Sequence, residues 1–232
     1  MHEEGCIAVV TTSQFRLAPS SLIDALYEAV RTRIINGDIA PGERLTEQRI
    51  ADEYDVARPT AKACLERLTA LGLLRRSVHK TAVVPELTAE DIRDLFTTRE
   101  LLEGSAVARL ARSKEMPAEV SQAQTAVVAA VAAADFAAQV QADIQFHWAL
   151  INGSRSPRLA RVYELVSGEI HLTMGQFQAH RATQPTTVAA EHANILDAIA
   201  KGKASAATRA LEIHLRAARD RVLARQARAT TA

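Results

Sequence analysis

Between Leu22 and Val84 the chain alternates apolar residues at helical spacing with abrupt breaks, and the order of those pieces leaves few folds open. Leu22, Leu26, Val30 and Ile34 recur every four residues, Ser20 or Ser21 can cap the start, and Gly37 lies beyond the end. That pattern predicts one amphipathic helix. Ile39-Ala40-Pro41-Gly42 then interrupts the chain, because proline lacks an amide proton and glycine permits positive φ. Thr46 is placed to cap a short second helix with Ile50, Ala51 and Tyr54 inward, and Asp55-Val56-Ala57 makes a tight turn. A third helix is expected from Arg58 to about Leu71, with Ala61, Cys64, Leu65 and Leu68 inward and Gly72 at its end. Leu73–Arg76 and Thr81–Val84 read as the two short strands of a hairpin. Helix, break, helix, tight turn, helix, hairpin is the order of a winged helix-turn-helix, whose post-turn helix enters the major groove of DNA.

Pro85-Glu86-Leu87 reads as a linker, and everything beyond it reads as helix. Candidate segments are 88–112, 117–133, 136–152, 157–178, 186–201 and 203–226. Abundant alanine and an aromatic content of only 4% favour packed helices over sheets. The expected fold class is therefore mainly α: an N-terminal winged helix-turn-helix followed by a C-terminal all-helical bundle that serves as a sensor. A length of 232 residues suits two small domains. The expected boundaries are 1–18 for a flexible extension, 19–85 for the DNA-binding domain and 86–232 for a helical ligand-sensing and dimerisation domain. Cys6 and Cys64 show neither disulfide nor metal spacing, and Cys64 sits among apolar helical positions. The N-terminus lacks a signal-peptide pattern, and no apolar run approaches the roughly 18 residues of a membrane span. A cytoplasmic protein with no membrane partner is expected.

Net charge is only +1, yet its distribution is uneven. Arg58, Lys62, Arg67, Arg75, Arg76 and Lys80 face a single acid, Glu66, between Arg58 and Val84. Such a run suits a phosphate-binding surface, although most charge runs are simply solvated faces. Arg58 and Lys62, four residues apart, share a face of the third helix, and Arg58 and Thr60 lie near its N-terminus, the end that reaches base edges. Arg58 can make a bidentate contact to guanine, whereas Lys62 suits a phosphate. Arg49 and the wing-tip residues His79 and Lys80 complete the candidate DNA contacts.

In the second half, Asp143, His147, His192 and His214 all fall on apolar helical stripes. With Asp143 at 0° and about 100° per residue, His147 lies at about 40°, inside the arc of Val140, Ile144, Leu150 and Ile151. His192 shares a stripe with Val188, Ile195, Leu196 and Ile199, and His214 with Ala207, Leu211, Leu215, Ala218 and Val222. His171, by contrast, falls about 140° from Val166 and is expected to face away from the core. A single helical histidine is more often a core or surface residue than a ligand. Three helices that each turn a ligand type inward are different, because a divalent cation compensates the burial of a carboxylate among imidazoles. Three nitrogens and one oxygen suit Zn²⁺ first, and also Ni²⁺, Mn²⁺ or Fe²⁺. A metal-dependent hydrolase or lyase is the rival reading, but no separate general base, nucleophile pair or phosphate loop stands out.

The stretch Ile34-Ile35-Asn36-Gly37-Asp38-Ile39-Ala40-Pro41-Gly42-Glu43-Arg44-Leu45-Thr46-Glu47 resembles the opening of GntR-type regulators. Ile50-Ala51, Val56-Ala57-Arg58-Pro59, Leu65, Leu68 and Leu71-Gly72-Leu73 continue that resemblance over about Leu22 to Val84. Ala57 stands where the family usually has Ser or Thr, Lys62 replaces a usual Arg, and Thr81 stands where the wing turn usually carries Gly. Asp143…His147…Leu150 and Glu191-His192…Ile195-Leu196…Ala198-Ile199 resemble the FCD (FadR-like) class of sensor domains within that family. His214 matches its later histidine and Arg99…Glu103 its opening. The resemblance implies a homodimeric transcription regulator on a pseudo-palindromic double-stranded operator. It also implies a metal held by Asp143, His147, His192 and His214, and a small carboxylate effector beside it that Arg99 can balance. A repressor relieved by effector is the commoner arrangement in that family; a regulator that responds to the metal alone is the alternative.

Overall fold

Thr46 Oγ1 accepts the Arg49 amide proton at 3.1 Å, and Asp55 turns the chain at a φ of 51°, so the second helix begins and ends on the residues that the sequence offers for it. The computed structural model describes residues 21–76, 81–177 and 185–230. Within them α1 spans Ser21–Asn36, α2 Glu47–Tyr54 and α3 Arg58–Ala70. Val30, Ile34, Ile50, Ala61, Cys64, Leu65 and Leu68 are buried together in one core. Burial also raises the Cys64 thiol to about 11, which keeps it an inert apolar filler. The first expected core position does not join this core. Leu22, on the first turn of α1, is 58% exposed.

The wing departs from a simple hairpin. Strand β1 (Arg44–Leu45) pairs antiparallel with β2 (Ala82–Val83), and the expected strand Leu73–Arg76 contributes only a bridge from Arg75 to Val83. Two-residue strands have no alternation to betray them. The expected extension over residues 1–18 and the wing-tip residues His79 and Lys80 lie outside the described residues.

Beyond the wing come α4 (Ala89–Ser113), α5 (Ala118–Ala132), α6 (Phe136–Gly153), α7 (Pro157–Phe177), α8 (Pro185–Ala200) and α9 (Ala204–Thr230). Each boundary lies within a few residues of its expected place, since Pro117, Gly153, Pro157 and Gly202 punctuate the chain. Helix α4 packs along α9, α5 along α6 and α8 along α9. The C-terminal half therefore has an interior bounded by α4, α6, α8 and α9. Among the described residues no helix is long and apolar enough to cross a membrane.

The connection into α4 is part of the packed structure. Pro85 and Leu87 are buried, and the Gly42 amide donates to the Val84 carbonyl at 2.9 Å. Thr88 opens α4 with a reciprocal cap: its Oγ1 accepts from the Asp91 amide at 3.1 Å, and Asp91 Oδ2 accepts from the Thr88 amide at 2.9 Å.

His171 is a second correction, because it is only 6% exposed. Its position off the apolar stripe predicts the back of α7, but α1 packs against that back, so both faces of α7 are covered. Its Nδ1 donates to the Ser167 carbonyl at 2.6 Å. Burial, aided by the nearby Arg31 guanidinium, lowers the imidazole to about 4. The native state thus holds His171 neutral while an unfolded chain protonates it near its ordinary value of 6.5. Above that value the group contributes nothing; as pH falls towards 4, native stability is lost, by on the order of 3 kcal/mol in all. Urea denaturation in chelator at pH 7, 5.5 and 4.5 is expected to show His171→Gln losing less stability across this window than the parent. Equal slopes would assign the acid sensitivity elsewhere.

Candidate functional site

Asp143 and His147 project from adjacent turns of α6, His192 from α8 and His214 from α9, and all four are buried. One ligand atom from each lies within 4.8 Å of all the others. His192 Nε2 is 3.2 Å from Asp143 Oδ1, and His147 Nε2 is 4.0 Å from the same oxygen. The ring of His192 stacks on Phe146 at 3.8 Å, which fixes its plane with Nε2 turned to Asp143. Burial lowers His192 to about 3 and also lowers His214, so both present neutral imidazole, the form that binds metal.

The other two histidines carry the sharper constraint. His147 Nδ1 lies 2.6 Å from Glu103 Oε2, and His214 Nδ1 lies 2.7 Å from Glu191 Oε2. A carboxylate accepts, so each imidazole places a proton on Nδ1, and in its neutral form leaves Nε2 with a bare lone pair. Yet the two Nε2 atoms face each other at 3.2 Å. Two lone pairs cannot hydrogen-bond each other; a cation between them turns repulsion into coordination. The donor set fits a divalent ion, with Glu103 and Glu191 as the outer partners that fix ring orientation and tautomer.

Arg99 and Glu103 occupy the buried face of α4. Arg99 Nε donates to Glu103 Oε1 at 2.7 Å, and the Tyr163 hydroxyl of α7 donates to the same oxygen at 2.9 Å. Burial alone would raise the Glu103 carboxyl; Arg99 and His147 outweigh it and hold the group at about 2. The two terminal nitrogens of Arg99 are buried and, among the described residues, have no hydrogen-bond partner. That outer edge offers parallel donors at carboxylate spacing. Glu103, Glu191 and Tyr163 join the site without a role expected for them from sequence. Glu103 had a visible signal: it follows Arg99 by four residues on the stripe of Phe96, Val107 and Leu110. Glu191 is visible only as the residue before His192 in the FCD-like segment, and Tyr163 has no signal, because their partners come from other helices.

On the N-terminal half of α3, Arg58 and Lys62 are exposed and Thr60 is half-buried. Ala57 caps that helix without a side-chain hydrogen bond, as its missing hydroxyl requires. Arg49 is held by Glu43 and Glu53, each at 2.6 Å. The basic run overstates the free charge of this surface. Arg67 pairs with Asp24 and covers the Tyr27 ring, Arg75 reaches Asp91 at 3.2 Å and Glu169 at 3.3 Å, and Arg76 lies 3.9 Å from Glu47. These acids are distant in sequence, so a local charge count could not include them.

Residues 22–84 match the family described as bacterial regulatory proteins, gntR family, and residues 94–217 match the FCD domain. The chain is 28% identical over 203 residues to the HTH-type transcriptional regulator LutR of Bacillus subtilis, covering 78% of this chain and 92% of that protein. It is 25% identical over 193 residues to the HTH-type transcriptional regulator YdhC of the same organism, covering 81% and 85%. A crystal structure of a GntR transcriptional regulator from Rhodococcus sp. RHA1 superposes with a TM-score of 0.75 at 28% identity, over 88% of this chain and 99% of that one. The chain belongs to the GntR family of bacterial regulatory proteins, with an FCD domain behind its helix-turn-helix, and is a DNA-binding transcriptional regulator, not an enzyme.

Proposed function

We propose that Asp143, His147, His192 and His214 hold one divalent metal ion, zinc first among the candidates, and that Arg99 receives the carboxylate of a small effector beside it. The opposed Nε2 lone pairs of His147 and His214, 3.2 Å apart with both Nδ1 protons committed to carboxylates, carry this reading. The bound ion would supply a positive centre for an effector oxygen. Arg99 would orient the same carboxylate, and Tyr163 and Glu103 keep the guanidinium in place. Effector occupancy then alters operator affinity only through its differential affinity for two arrangements of the protein. Arg58 and Thr60 would read base edges and Lys62 a phosphate, on a pseudo-palindromic operator bound by a homodimer; repression relieved by effector is the expected sense.

Calorimetry tests the sensing part. Zn²⁺ titrated into metal-free protein is expected to saturate at one ion per chain, and a panel of acetate, lactate, malonate and citrate to give saturable heat with at least one member in the loaded protein only. Arg99→Gln should abolish the carboxylate heat and keep the Zn²⁺ heat. Zn²⁺ that alone switches DNA affinity, with no carboxylate response, would favour the metal as the signal; no saturable Zn²⁺ binding would end the reading.

A further inference from the structure

Glu103 is where three elements meet. Its Oε1 accepts from Arg99 and from the Tyr163 hydroxyl, and its Oε2 accepts from His147. One buried carboxylate therefore sets the guanidinium on α4, the imidazole on α6 and a hydroxyl on α7. His147 cannot reorient towards an ion without drawing on Glu103, and Glu103 cannot move without drawing on Tyr163.

Helix α7 is also the helix on which the DNA-reading half rests. The Gly168 amide donates to the Leu71 carbonyl at 2.9 Å, and a Cβ on Gly168 would overlap that carbonyl oxygen. A Cβ on Gly175 would likewise overlap the Ile35 carbonyl oxygen. Gly168, His171 and Gly175 share one face of α7, turned by roughly 80–140° from Tyr163. The contact is thus backbone against backbone, at the ends of α1 and α3, with no flexible side chain between to absorb a small shift. Tyr163 stands only five residues, about 7.5 Å of helix rise, before Gly168. Arg75 adds a second tie, to Glu169 on α7 and Asp91 on α4.

We propose that Glu103 is a positioning residue that couples occupancy of the Asp143–histidine cluster to α7, and that α7 carries this state to the DNA-reading half through its glycine face. The proposal rests on the metal reading above. It needs no wire of special residues beyond these contacts, only two placements of α7 that occupancy distinguishes.

Hydrogen–deuterium exchange of the full chain, with and without Zn²⁺, tests it. Zn²⁺ is expected to slow exchange around the ligands and also in 163–175 and at the docked ends, 30–36 and 66–73. Tyr163→Phe removes one hydroxyl; it should keep Zn²⁺ affinity and the Zn²⁺-dependent rise in thermal midpoint yet lose the Zn²⁺-dependent protection at the docked ends. A merely structural tyrosine would not separate those readouts. Glu103→Gln should lose about 10- to 100-fold in Zn²⁺ affinity, read by competition with a chromophoric chelator. Gly168→Ala should leave Zn²⁺ affinity intact and expose the docked ends with or without the ion. Full remote protection in Tyr163→Phe, or Zn²⁺ binding by the parent without change at the docked ends, would overturn the coupling and leave the metal site standing. Failure of the parent to bind Zn²⁺ would remove both.

Discussion

Chelating the ion from the zinc-loaded protein is expected to lower its thermal midpoint by on the order of 10 °C. A ligand that binds only the native state at about a thousand times its Kd adds about 4 kcal/mol, and in a chain of this size each kcal/mol shifts the midpoint by about 2–4 °C. The direction follows from the interior. Without a cation, Asp143 faces two imidazoles and two more lone pairs oppose each other, all out of water. Asp143→Asn keeps the volume and removes one ligand charge. Its melting curve should respond little to Zn²⁺, whereas that of the parent should rise. Calorimetric scans of the two proteins, each with Zn²⁺ and with chelator, decide the matter. Superimposable scans for the loaded and stripped parent would mean that the cluster holds no ion.

Salt-dependent DNA binding separates the roles on α3. Arg58→Ala should cost about 1–3 kcal/mol on a fragment from the regulator's own upstream region and should lose less on unrelated duplex. Lys62→Ala should weaken both duplexes alike and reduce the slope of log affinity against log salt by about one. Arg67→Ala serves as the contrast: its guanidinium is bound to Asp24 and lies 4.1 Å from the Tyr27 ring centroid, so DNA affinity should hardly change. Fluorescence anisotropy across a NaCl series reads all three. Equal losses for Arg67→Ala and Arg58→Ala would mean that the basic run acts as one undirected patch.

Much of this architecture was legible because helices advertise themselves locally. A four-residue apolar rhythm, Thr46 and Thr88 as caps and Pro or Gly at the breaks place helix ends without reference to the rest of the molecule. The same rhythm turned Asp143, His147, His192 and His214 inward, since a polar residue on a buried stripe needs compensation wherever the stripe packs. What stayed illegible depends on partners far along the chain. His171 looked outward until α1 covered the back of α7. Arg67 and Arg75 looked like free positive charge until Asp24, Asp91 and Glu169 folded onto them. Arg44–Leu45 is a strand only because Ala82–Val83 lies beside it.

The seam between the two halves has a practical consequence. Leu71 lends its carbonyl to Gly168, Gly42 is tied to Val84, and Pro85 and Leu87 are sunk in the packing. The reading head is therefore not a portable cassette. Grafted onto another helical domain, it would lose these backbone-to-backbone contacts unless the recipient helix also carried the paired gaps that Gly168 and Gly175 leave for it.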